Sequence, residues 1–103
     1  MATMQYDVLA TKPLTSTGNF LDQNNNAIAR TRIKTIYTTN GTDAGSVVIR
    51  EGGASGSILI TVNTAASSTA GYTIFPIPGE GILCESALHG TLTNTASITL
   101  IYG

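Results

Sequence analysis

Apolar and polar positions along this chain alternate with a period of two, the repeat that sends successive side chains to opposite faces of a strand. No window of about ten residues carries the i, i+3, i+4, i+7 apolar spacing of an amphipathic helix, so almost no helix is predicted. In Ser46–Arg50, Val47 and Ile49 share a face; in Ser57–Asn63, Ile58, Ile60 and Val62 do, with Ser57, Thr61 and Asn63 opposite. Both segments read as half-buried strands, and the glycines of Glu51–Gly56 between them permit the positive φ angles of a hairpin loop.

Downstream, Tyr72–Ile77 sets Tyr72 and Ile74 against Thr73 and Phe75 and then meets Pro76 and Pro78, which lack the N–H that a ladder needs. This strand is expected at a sheet edge or ending there. Pro78-Gly79-Glu80-Gly81 fits a type II turn with Gly79 in the left-handed position. Strands follow at Ile82–Cys84, Leu88–Thr93 and Ser97–Tyr102, the last two separated by a turn at Asn94-Thr95-Ala96, with Ile98, Leu100 and Tyr102 on one face. The first third is less regular: short strands are predicted at Tyr6–Ala10, Thr15–Phe20 and Ile28–Tyr37, broken by Lys12-Pro13 and the polar run Asp22-Gln23-Asn24-Asn25-Asn26. About seven to nine short strands, spaced roughly ten residues apart, predict an all-β fold: a single antiparallel β-sandwich or small barrel, the jelly roll being one topology that fits. One domain is expected over residues 1–103, and residues 1–13 read either as part of the sandwich or as an arm that a partner orders.

Composition sharpens this picture. Thr and Ser supply 25 of the 103 residues and Gly 11, while only 11% are charged and the net charge is −1. That is strand and turn composition, and it offers no basic field for nucleic acid or an anionic membrane. No apolar run approaches the roughly 20 residues needed to span a bilayer. Met1–Asp7 lacks the basic start and apolar stretch of a secretory signal, so synthesis in the cytoplasm is expected.

Candidate chemistry is sparse. Ile28–Tyr37 puts Arg30, Arg32 and Lys34, three of the five basic residues, on one face, with Ala29, Thr31, Ile33, Thr35 and Tyr37 on the other. The row is either the solvated face of an amphipathic strand or a contact for an acidic partner surface, made through charge-assisted hydrogen bonds. His89, the sole histidine, has no Gly-x-Ser-x-Gly or other nucleophile context and reads as a satisfied or exposed strand residue. Cys84 is the only cysteine, excludes an intramolecular disulfide, and reads as a buried, inert thiol. Asp22–Asn26 brings one carboxylate and reads as a polar turn, not a calcium loop. Gly52, Gly53 and Gly56 lie between two strands, without the helix N-terminus that a phosphate loop needs. Tyr6, Tyr37, Tyr72 and Tyr102 show no clustering along the chain, and Trp is absent. No catalytic residue, metal or cofactor is expected.

Three stretches carry a family likeness: Ala44-Gly45-Ser46-Val47-Val48-Ile49-Arg50-Glu51-Gly52-Gly53-Ala54-Ser55-Gly56, Ile77-Pro78-Gly79-Glu80-Gly81-Ile82, and Leu92-Thr93-Asn94-Thr95-Ala96-Ser97-Ile98-Thr99-Leu100-Ile101-Tyr102-Gly103. With the opening Tyr6-Asp7-Val8-Leu9-Ala10 and Pro13-Leu14, the chain resembles small virion structural proteins of tailed bacteriophages, most of all marine podoviruses with a T7-like plan. The resemblance implies a non-enzymatic β-sandwich subunit present in many copies on the particle. A capsid decoration or cement protein is the expected role, binding the major capsid protein or other virion proteins. Homo-oligomers, a trimer among them, are expected, with neither nucleic acid nor membrane as partner. The alternative is a tail or fibre component that binds a host-surface glycan. A compact domain rich in Thr, Ser and Asn and poor in Lys and Glu is compatible with the virion-subunit role, because it loses little side-chain entropy on docking against neighbours.

Overall fold

The computed structural model describes residues 9–66 and 71–103, so Tyr6 and most of the predicted strand Tyr6–Ala10 lie outside the described residues. Nine strands and no helix occur among the described residues: β1 (Leu9–Ala10), β2 (Gly18–Asn19), β3 (Thr31–Asn40), β4 (Gly45–Glu51), β5 (Ser57–Thr64), β6 (Tyr72–Pro76), β7 (Ile82–Cys84), β8 (Leu88–Thr93) and β9 (Thr95–Tyr102). They form two antiparallel sheets, a front sheet ordered β1-β9-β3-β6 with β7 also on β3, and a back sheet ordered β2-β8-β4-β5. On the side of β3 away from β9, β7 pairs with Thr31–Ile33 and β6 with Thr35–Thr39. Together β6 and β7 make one edge strand interrupted after Pro76, the position at which proline was expected to put an edge. Counted so, two four-stranded sheets remain, between which the chain crosses at almost every connection, and their pairing order is that of a jelly roll.

The core lies between the sheets. Ile33, Ile36, Ile98 and Leu100 of the front sheet meet Val47, Ile49, Val62 and Leu88 of the back sheet, with Phe20 among them. Each fully buried side chain of this size contributes on the order of 1.5–3 kcal/mol. Phe20 lies so close over β8 that a Cβ on Gly90 would stand 2.9 Å from its ring, so only glycine fits there without a shift. The β4–β5 hairpin forms as predicted: Glu51 pairs with Ser57, and Gly52 and Gly53 take φ of 90° and 95°. Residues 9–13 of the expected arm are tied into the sandwich, where Thr11 N–H donates to Leu100 O at 2.9 Å and Leu100 N–H donates to Thr11 Oγ1 at 3.0 Å.

Three register shifts change the faces that strict alternation assigns, one of them leaving Ala96 as an extra residue on β9 between the pairs Thr39–Ser97 and Asn40–Thr95. Between the pairs Ile33–Tyr102 and Thr35–Ile101 the register shifts, leaving Lys34 as an extra residue on β3. Ile33 and Ile36 are therefore both fully buried, while Tyr37, expected on the Ile33 face, points to solvent. Likewise Ile49 pairs with Ile60 but Arg50 with Ile58, which makes Leu59 the extra residue on β5. Ile58, grouped by pattern with Ile60 and Val62, is 54% exposed as a result.

Two turns also differ in detail from expectation. Gly79 has the anticipated positive φ of 68°, but the closing bond runs from Gly81 N–H to Pro78 O at 3.4 Å, one residue later than a type II turn centred on Pro78-Gly79. The turn before the last strand shrinks to Asn94 with φ of 51°, and it carries the chain from the back sheet to the front one. Beside it, the Thr64 and Thr95 hydroxyls, 3.3 Å apart, link the two sheets.

Candidate functional site

The outer face of the front sheet follows from its register. Ile36, Thr38, Ile98 and Leu100 point inward, so Thr35, Tyr37 and Thr39 of β3 and Ser97, Thr99 and Ile101 of β9 point outward. Pairing β6 on β3 completes three cross-strand rows: Ile74–Tyr37–Thr99, Tyr72–Thr39–Ser97 and Pro76–Thr35–Ile101. None of these nine residues is charged. Tyr72 is 66% exposed, Ile74 51% and Tyr37 36%. The Tyr37 and Tyr72 rings pack with centroids 5.9 Å apart at 40°, and the Thr39 and Ser97 hydroxyls bond at 2.6 Å. Two of the four tyrosines therefore cluster, against the expectation drawn from their spacing along the chain. Tyr102 is buried at the sheet's other end, and Tyr6 lies outside the described residues.

The predicted basic row is only partly assembled. Arg32 and Lys34 flank the fully buried Ile33 and stand half-buried on this same outer face, Arg32 opposite Leu83. Lys34 is the bulge residue, so both cations border the uncharged rows. Arg30 precedes β3 instead of belonging to it, and its Nε faces Glu85 Oε1 at 3.4 Å in an exposed ion pair. Such a pair contributes little, because water and salt screen it.

His89 departs from its expected state, being neither exposed nor satisfied. It is 6% exposed, and its Nδ1 has no hydrogen-bond partner among the described residues. It sits opposite Arg50 on β4 and Asn19 on β2, and Arg50 turns its Nη1 toward Gly56 O at 3.1 Å. Among the described residues no group of three or more His, Cys, Asp or Glu is placed to hold a metal ion. Cys84 is fully buried, its Sγ donates to Ser86 O at 2.6 Å, and burial above all pushes its pKa up, with Glu51 and Glu85 adding to the shift. A thiol held neutral in this way is a poor nucleophile. Asp22 closes the expected polar turn, its Oδ1 accepting from Asn24 N–H at 2.8 Å and Asn26 N–H at 2.9 Å.

Comparison with protein-family models, with curated proteins and with solved structures returned no match. The site is an uncharged, aromatic-bearing face with cations at one border, an arrangement that can bury a partner's surface. No helix among the described residues is long and apolar enough to cross a membrane.

Proposed function

We propose that this protein is a non-enzymatic virion structural protein of a tailed bacteriophage, a decoration protein that binds the outer capsid lattice through the outer face of its front sheet. The observation that carries the docking role is the cluster of Tyr37, Tyr72 and Ile74, exposed on rows without a charge and bordered by Arg32 and Lys34. Stable interfaces have this composition, an apolar centre with aromatic anchors and a polar rim. The phage assignment comes from the family resemblance of the hairpin, the Pro-Gly-x-Gly turn and the Tyr-Gly ending, and the jelly-roll order agrees with it, since that architecture recurs in viral capsid domains.

The proposed mechanism is mechanical. Each copy buries Tyr37, Tyr72 and Ile74 across a boundary between capsid subunits, so separating the subunits also requires breaking these contacts. Binding to the assembled lattice alone stabilises the lattice by mass action. Arg32 and Lys34 add a salt-sensitive contribution at the rim. The test is co-sedimentation of the purified protein with phage capsids that lack it: saturable pelleting supports the role, and lattice-independent behaviour removes it.

A further inference from the structure

A second feature lies at the opposite end of the front sheet. Strand β1 pairs with the end of β9, Leu9 against Tyr102 and Ala10 against Ile101, and the Asp22–Asn26 turn folds against this corner. Gln23 Nε2 donates to Ala10 O at 3.1 Å, and Lys12 Nζ donates to Asn25 Oδ1 at 2.6 Å, which fixes the turn in place. Between turn and strands is a cavity of about 240 Å³ lined by Leu9, Ala10, Asp22, Gln23, Asn24 and Tyr102.

We propose that this cavity binds a neutral polyhydroxylated ligand the size of one sugar ring. The lining is mostly apolar, with a minority of polar groups that can meet a sugar's hydroxyls. Asp22 Oδ1 is occupied by the turn's own N–H groups, and among the described residues no hydrogen bond engages Oδ2, which can then accept from a hydroxyl. Gln23 keeps its Oε1 after donating to Ala10, and Asn24 and Tyr102 bring an amide and a phenol. Leu9 and Ala10 supply the apolar surface that meets the C–H face of a ring. Burial, and then the Asp22 charge, push the Tyr102 pKa up, so the phenol stays protonated and able to donate. The other ligand classes fit less well. An anion would be repelled by Asp22, and a hard cation needs more oxygen ligands than this one carboxylate brings. The volume lies below the roughly 300 Å³ at which pockets for larger ligands begin. This proposal does not depend on the capsid role, since the cavity and the Tyr37–Tyr72 face are formed by different residues.

The test is a titration of the full chain with glucose, galactose, mannose and N-acetylglucosamine, followed by amide chemical shifts, with glycerol as the control. The expected result is saturable shifts for at least one sugar at Leu9, Ala10, residues 22–24 and Tyr102. Tyr102→Phe, which keeps the ring, should weaken that binding about tenfold, the loss of one buried hydrogen bond of about 1.4 kcal/mol. Asn24→Ala, on the exposed turn, gives a second variant that leaves the core untouched and should weaken binding similarly. Overturning results are no saturable shift with any of the four sugars, shifts centred elsewhere such as at Tyr37 and Tyr72, or unchanged affinity in both variants. Capsid co-sedimentation is scored separately, so either proposal can fail alone.

Discussion

Tyr37 and Tyr72 touch across the diagonal of the β3–β6 ladder, their rings 5.9 Å apart, because β3 sets Tyr37 against Ile74 and Thr39 against Tyr72. Diagonal neighbours on one face of an antiparallel pair lie within reach of aromatic side chains. The contact uses only part of each ring, since Tyr72 remains 66% exposed. A partner that covers both rings and Ile74 gains the burial this face lacks in the free protein.

Tyr72→Ser separates docking from folding. Because Tyr72 stands at an exposed edge and its fold contact is the packing on Tyr37, unfolding stability should change by no more than about 1 kcal/mol, measured by urea denaturation. Capsid affinity should fall at least about tenfold, as expected for losing an aromatic anchor. Equal losses in both measurements would mean that the ring serves the fold.

The bulges at Lys34 and Leu59 make opposite demands on similar residues. Ile36→Ala, at a fully buried position, should cost about 2–5 kcal/mol, whereas Ile58→Ala, exposed beside the Leu59 bulge, should cost less than about 0.5 kcal/mol. Comparable urea midpoint shifts in the two variants would contradict the β5 register.

Gly90 and Phe20 should show coupling. Gly90→Ala forces a Cβ to 2.9 Å from the Phe20 ring and 3.0 Å from Leu14 Cδ2 and should destabilise by about 1–3 kcal/mol. Pairing it with Phe20→Leu should give a double mutant less destabilised than the sum of the single changes, by at least about 0.5 kcal/mol. Simple additivity would show that the Leu14 contact, not the Phe20 ring, limits the space at Gly90.

Cys84 sets a sign for the alkaline limb. Its folded pKa is raised by burial, so the unfolded chain releases the thiol proton first. The stabilisation is complete below the ordinary thiol value and is lost as pH rises from there through the folded value. Urea midpoints measured from about pH 7 to 10 should decline at the upper end, and the decline should be shallower in Cys84→Ala. Tyr102, also raised, acts in the same direction at higher pH.

Local chemistry was legible in the sequence and register was not. The Glu51–Gly56 hairpin could be read because its glycines act within a few residues, and β6 could be put at an edge because Pro76 carries its own constraint. The bulges at Lys34 and Leu59 are properties of strand pairs, so alternation along one strand misplaced Tyr37 and Ile58. The same limit hid the main candidate site, because Tyr37 and Tyr72 meet only once the β3–β6 register is known. The basic row was half visible: Arg32 and Lys34 share the predicted face, while Arg30 falls outside the strand and pairs with Glu85. His89 reads as an ordinary strand residue, and only the pairing beside Arg50 and Asn19 shows it buried with an unpartnered nitrogen.

The decisive measurement is co-sedimentation of the protein with purified phage capsids that lack it, with its solution mass determined in parallel by light scattering. A monomer or trimer that pellets at a saturable stoichiometry, weakened by Tyr72→Ser and by added salt, is the predicted result. A protein that stays in the supernatant at every capsid concentration, whatever its oligomeric state, would contradict the decoration role.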